Sequence, residues 1–87
     1  MSSIVFTKRS WSDYLYWQQR DIKIARKINA LLKSIERDGA LFGERKPEKL
    51  KYRPGDYSRR IDGENRLVYS VSGDEIVVRS CKGHYEE

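Results

Sequence analysis

Histidine and cysteine occur once each in this chain, proline only twice, and no apolar run comes near membrane-spanning length. Each scarcity excludes something. A single cysteine, Cys81, rules out an internal disulfide framework. One histidine and one cysteine argue against a protein-only zinc site, since structural zinc takes four nitrogen or sulfur ligands, and no cofactor is expected. Without an apolar stretch of about 20 residues, no membrane span is expected. The opening M-S-S-I-V-F-T-K is short for a signal peptide, so a reducing, cytoplasmic setting is the expectation. No glycine loop of the phosphate-cradling kind is present, nor an evident Ser-His-Asp or Cys-His pair, an internal repeat, a linker or a low-complexity segment.

Acid is also in deficit. Thirteen Asp and Glu face eighteen Lys and Arg, for a formal net charge of +5. That balance suits an acidic partner, either nucleic acid or a negatively charged protein, although a merely soluble basic surface has the same composition. The 87 residues make one small domain, 1–87, whose core must be compact.

The most informative stretch is Y-S-R-R-I-D-G-E-N-R-L-V-Y-S-V at 57–71. Asp62-Gly63 is a turn signal between alternating runs, which predicts a β-hairpin. A three-residue loop, 62–64, sets Ile61 opposite Asn65 and Arg60 opposite Arg66. Tyr57, Ile61, Leu67, Tyr69 and Val71 then share a core face. Ser58, Arg60, Arg66, Val68 and Ser70 take the other. A one-residue slip would mix arginine into the apolar face. Two arginines side by side are unfavourable by themselves, and a bound anion would compensate them.

Before the hairpin, residues 3–7 form a short β-branched run that predicts a strand. Thr7 or Ser10 can cap a helix reaching about Gln19, and Ser10 with Asp13 resembles a capping box. Trp11, Tyr14 and Leu15 share its expected core face, while Tyr16 and Trp17 fall partly off it and are candidates for a dimer or partner contact. Asp21 caps a second helix whose stripe is Ile24, Ile28, Leu31, Leu32 and Ile35, ending at Gly39. The short link predicts an antiparallel helix pair. Pro47 and Pro54 exclude a helix through 40–55, where Leu50 and Tyr52 could begin a strand. After a turn at 72–74, Ile76, Val78 and Ser80 join the core face, and Arg79 and Cys81 join Arg66 on the other. The fold class is α+β: a strand, two antiparallel helices, then an antiparallel sheet of three or more strands, one face packed and the other open and cationic.

Metal-free RNA cleavage would need a base for the 2′-hydroxyl, an acid for the departing 5′-oxygen and cations for the phosphate. The chain offers carboxylates before the hairpin, Arg60 and Arg66 on the open face, and His84 near the end. Each also has a plain alternative as a solvated surface residue. Counting from Cys81, His84 misses the face of Arg66 unless Gly83 breaks the alternation.

Five motifs in order, W-x-D-Y-L-Y-W-Q at 11–18, K-P-E-x-L-K at 46–51, S-R-R-I at 58–61, R-L-V-Y at 66–69 and C-x-x-H-Y at 81–85, resemble the Txe/YoeB toxins of the RelE superfamily. The resemblance implies a RelE-like domain and the toxin of a type II toxin–antitoxin system. It further implies a ribosome-dependent mRNA endoribonuclease, or mRNA interferase, that cleaves message in the A site. Carried over by position, Glu48 is the general base, Arg66 the transition-state cation and His84 the general acid. Lys51 and Arg60 contact phosphate and Tyr85 stacks on or orients the nucleotide. The implied chemistry is transesterification to a 2′,3′-cyclic phosphate and a 5′-hydroxyl. A carboxylate of ordinary pKa is a weak base near neutrality, and positioning by the ribosome would compensate. The implied partners are mRNA on the ribosome and a cognate antitoxin whose acidic C-terminal segment masks the site, with DNA reached only through the antitoxin. A homodimer through helical and N-terminal surface is also expected. Glu86 and Glu87 extend beyond the typical family end at His-Tyr. The alternative is a non-catalytic RNA-binding or ribosome-binding protein, or a gyrase-inhibiting toxin of the same fold.

Overall fold

A computed structural model describes residues 2–43 and 45–84. Strand β1 (Ser3–Phe6) leads into helix α1 (Lys8–Arg20), and a single residue, Asp21, separates it from α2 (Ile22–Asp38). Strands β2 (Glu48–Lys49), β3 (Tyr57–Arg60), β4 (Arg66–Ser72) and β5 (Glu75–Ser80) follow. The sheet order is β1-β5-β4-β3-β2. All neighbours are antiparallel except β1, which runs parallel to β5.

Local chemistry sets the helix boundaries. Thr7 Oγ1 accepts from the Ser10 amide and caps α1. The expected Ser10–Asp13 capping box does not form, because Ser10 lies inside the helix, buried, with its hydroxyl donating to Val78 O at 2.7 Å. Asp21 serves both helices. Its amide closes α1 on Trp17 O, and its carboxylate accepts from the Lys23 amide to start α2. The helices fold back on one another as expected, so that Tyr14 Oη donates to Asn29 Oδ1 at 2.6 Å. Gly39, at φ 92°, ends α2 with its amide on Ile35 O.

The core is the expected α2 stripe packed on Ile61, Leu67, Tyr69, Ile76, Val78 and Cys81. Burying each such side chain contributes about 1.5–3 kcal/mol relative to exposure. The hairpin has the expected register, with Arg60 opposite Arg66 and Tyr57 opposite Tyr69.

Several expectations fail, each for a tertiary reason. On α1 the expected core face holds only in part: Tyr14 packs on the core as expected. Trp11 is 49% exposed and Leu15 is also exposed, whereas Trp17 packs on the core. Its indole donates to Cys81 O at 2.8 Å, so α1 turns toward the end of β5 the flank assigned to a partner. Val71, at the turn end of β4, is exposed instead of buried. The strand before the hairpin is Glu48–Lys49, and 51–55 is turn, closed by Leu50 N–H on Asp56 O.

The largest departure is a β-bulge. Val68 pairs with Ser80 but Tyr69 pairs with Val78, leaving Arg79 as the extra residue. The bulge inverts parity beyond it. Ser80 therefore shares a face with Val68, and Cys81 enters the core, the reverse of the expected arrangement. Helix α1 holds the bulge: the Thr7 amide and Ser10 hydroxyl donate to Val78 O, and the Thr7 hydroxyl donates to Arg79 O.

Arg59 shares the parity of Tyr57 and Ile61, so it points into the packed face and is fully buried. Its guanidinium donates to Tyr69 Oη at 2.9 Å, Ser34 Oγ at 2.8 Å, Gly39 O at 2.8 Å and Phe42 O at 2.6 Å. Tyr69 Oη in turn donates to Ala40 O at 2.6 Å. These bonds join α2, the 39–42 segment and two strands.

Two outcomes follow. Arg59→Met should lower the unfolding free energy in urea by about 2–4 kcal/mol, because buried acceptors lose their donor. Arg59→Lys should recover little, since one ammonium cannot span the same fork. A loss below about 0.5 kcal/mol in the Met variant would mean that the network contributes little. Burial and the neighbouring Asp13 carboxylate push the Cys81 thiol up to about 12. Cys81 should therefore resist iodoacetamide at pH 8 until denaturant is added, and rapid alkylation of the native protein would contradict that burial.

Candidate active site

The sheet face opposite the helices carries most of the candidate residues, and strand pairing places them. Glu48 pairs with Ser58, Ser58 with Val68 and Val68 with Ser80, so one row crosses four strands on one face. Arg60 and Arg66 form the adjacent row of the hairpin on that same face. By sheet spacing, Glu48 lies roughly 10 Å from Arg66 across the strands and about 7 Å along them. Long side chains can close on a phosphodiester from such positions. Ser58 and Val68 are buried, Arg66 is half-buried, and Glu48 and Arg60 are exposed.

The cationic patch is narrower than the sequence suggests. Asp56 takes Arg53 at 3.0 Å and Arg79 at 3.5 Å, and Arg79 also donates to Ser70 Oγ. Arg79 is thus tied down at one end of the face. Lys51 is not on the sheet. It lies in the turn after β2, exposed, with its ammonium 5.3 Å from the Tyr52 ring centre. Among the described residues, the guanidinium groups of Arg60 and Arg66 have no hydrogen-bond or ion-pair partner. Their placement side by side is the unfavourable arrangement expected from the register.

His84 reaches this face through one departure from regular pairing. The Arg79 bulge turns Ser80 toward the face and Cys81 into the core, and Gly83, at φ 95°, stands just before His84. Residues 81–83 are held along their backbone. Asp13 Oδ2 accepts from the Cys81 amide at 3.0 Å, and Arg9 donates to Lys82 O at 3.3 Å. The Gly83 amide donates to Asn65 Oδ1 at 2.8 Å, and the Arg66 amide donates to Gly83 O at 3.0 Å. That last bond makes the Arg66 backbone and the residue before His84 direct neighbours. His84, exposed, lines a depression of about 170 Å³ with Arg9, Arg53, Val68, Ser80, Lys82 and Gly83. Glu48 and His84 therefore flank opposite ends of the row, with the arginine pair beside it. Tyr85 lies outside the described residues.

Sequence reasoning missed two supporting groups. Arg45, at φ 69°, donates from its guanidinium to Arg60 O and Ile61 O and accepts the Arg60 amide on its own carbonyl. It fastens the irregular 45–47 segment to the edge of the hairpin beyond Glu48. Asp62 and Asn65 form the second group. Burial alone would raise the Asp62 carboxyl, but hydrogen bonds from the Glu64 and Asn65 amides and the Asn65 side chain hold it below the usual range. The Asp-x-x-Asn spacing was a legible turn signal, but its link to Gly83 was not.

The family described as the YoeB-like toxin of bacterial type II toxin-antitoxin systems matches residues 6–85. The toxin YoeB of Escherichia coli K12 is 45% identical over 83 residues, covering 94% of this chain and 98% of that protein. The toxin YoeB of a Synechocystis strain is 46% identical over 84 residues, covering 95% and 96%. Among solved structures, the YoeB dimer from Staphylococcus aureus superimposes with a TM-score of 0.93 at 54% identity, covering 97% of this chain and 98% of that one. The YoeB-YefM complex from Staphylococcus aureus does so with a TM-score of 0.90 at 52% identity, covering 98% and 99%. With a match across nearly its whole length and the α+β fold in common, this chain belongs to the YoeB-like toxins of bacterial type II toxin–antitoxin systems.

Proposed function

We propose that this toxin is a ribosome-dependent mRNA endoribonuclease that works in the cytoplasm and cuts message by transesterification. The observation that supports it most is one sheet face with a carboxylate at one end, an arginine pair without a partner among the described residues beside it, and an imidazole at the other end. Glu48 takes the 2′-hydroxyl proton. The 2′-oxygen attacks phosphorus, and Arg66, with Arg60 beside it, holds the growing negative charge. His84 protonates the departing 5′-oxygen, leaving a 2′,3′-cyclic phosphate and a 5′-hydroxyl. Lys51 contributes a more distant phosphate contact from its turn, and Tyr85 stacks on or orients the nucleotide. The ribosomal A site supplies alignment, since Glu48 and His84 lie exposed at the edges of the face and positioning alone can lower a barrier by several kcal/mol.

The same arginines suit an acidic antitoxin segment, and the Staphylococcus aureus relative has been solved in complex with YefM. A homodimer is proposed for the free protein. Its surface draws on exposed apolar residues of β1 and α1, among them Ile4, Trp11 and Leu15.

The direct test is to incubate the purified protein with programmed ribosomes and map mRNA 5′ ends. Cleavage within the A-site codon is expected, and binding without cleavage would overturn the enzyme assignment. Arg66→Ala should cut the rate by about 10²-fold or more with an unchanged melting midpoint. Arg66→Lys should remain poor because it lacks the planar fork. Near-parent cleavage by the alanine variant would remove Arg66 from the mechanism. Sedimentation equilibrium of the free toxin at micromolar concentration should show a species of twice the 10.3 kDa chain mass. A single 10.3 kDa species across the range would exclude the dimer.

A further inference from the structure

The hairpin loop and the chain end are joined through one side chain. Asn65 Nδ2 donates to both Asp62 carboxylate oxygens, at 3.1 and 3.2 Å, while Asn65 Oδ1 accepts the Gly83 amide at 2.8 Å. The two partners dictate the orientation of the amide, because a carboxylate demands a donor and an N–H demands an acceptor. Asp62 is itself held by the Glu64 and Asn65 backbone amides at 2.8 and 2.7 Å. The Asn65 side chain is therefore braced from behind and bonds the residue immediately before His84. Gly83 also returns its carbonyl to the Arg66 amide, so the loop grips both sides of one peptide segment.

We infer that Asn65 is the positioning residue for His84, acting through its hydrogen bond to the Gly83 amide and braced by Asp62. The inference rests on the reading of His84 as the general acid. Residues 81 and 82 are held by α1, through Asp13, Trp17 and Arg9, and that clamp lies upstream of the glycine. Gly83 at φ 95° is the hinge between the clamped strand end and the imidazole. Without Asn65, only the Arg66 amide would restrain that hinge among the described residues. The imidazole would then sample orientations that miss the 5′-oxygen. Asn65 touches no reacting atom in this scheme. Its effect belongs in the chemical step and not in ribosome binding.

The test is a double-mutant cycle with Asn65→Ala and His84→Gln, assayed on programmed ribosomes under single-turnover conditions, with melting midpoints and amide exchange measured alongside. Asn65→Ala should lower the cleavage rate at saturating ribosomes by about 10-fold or more, leave the half-saturating concentration unchanged, and keep the melting midpoint within a degree or two of the parent. The Gly83 amide should lose protection from exchange while core amides keep theirs. In the His84→Gln background, Asn65→Ala should cost nothing further, since there is no acid left to aim. An equal loss in both backgrounds would overturn the positioning role and leave a general structural one. A normal rate for Asn65→Ala, beside a slow His84→Gln, would overturn the inference while sparing the reading of His84. A normal rate for His84→Gln would overturn that reading itself and the inference with it, although loss of Gly83 protection in Asn65→Ala would still register the hydrogen bond.

Discussion

The buried Arg59 guanidinium is the constraint on which the architecture turns. A cation inside a small core carries a large desolvation penalty, and such a group is tolerated only when its donors are satisfied. Here the acceptors come from α2, from the 39–42 segment and from Tyr69 on β4. Packing of apolar side chains alone would let α2 slide on the sheet. A planar fork with several fixed acceptors admits one arrangement. It also gives the irregular segment after α2 a reason to run where it does, since its carbonyls would otherwise lack partners. That segment leads to β2, and β2 carries Glu48 at the margin of the candidate active face.

The face itself depends on irregularity placed inside a regular sheet. Uninterrupted alternation would send Cys81 outward and leave Ser80 in the core. The bulge at Arg79 reverses both, buries the thiol, and brings the chain end around to the side where Arg66 lies. The start of α1 satisfies the carbonyls of the bulge, so the first helix and the last strand are coupled. Helix α1 then continues to hold the chain through Asp13 and Trp17. Residues from opposite ends of the sequence thus set the position of His84.

Charge on this face is distributed unevenly. Arg53 and Arg79 are engaged by Asp56, and these exposed or part-exposed pairs are each worth little energetically. Their effect is to orient the turn at 51–55, while Arg60 and Arg66 have no charge partner among the described residues. An anion gains most where cations repel one another and lack internal partners, which is why a phosphate or an acidic peptide would favour this spot over the rest of a basic surface.

By itself the sequence determined the elements and their local chemistry. The α2 stripe, the caps at Asp21 and Gly39, the hairpin register and the Arg60–Arg66 pair all follow from period, turn residues and parity, which are properties of neighbours in the chain. Five ordered motifs were enough to suggest the family. Only the tertiary structure decided which flank of α1 is buried, that β1 lies parallel beside β5, which acceptors meet the inward Arg59, and that a bulge inverts the last strand. Each of these depends on residues tens of positions apart. Thr7 and Ser10 meet Val78 and Arg79, Trp17 meets Cys81, and Asn65 meets Gly83. Hydrophobic period records which face of an element is apolar. It carries no record of hydrogen bonds that hold a parity shift of one residue, and the placement of His84 depends on such a shift at Arg79.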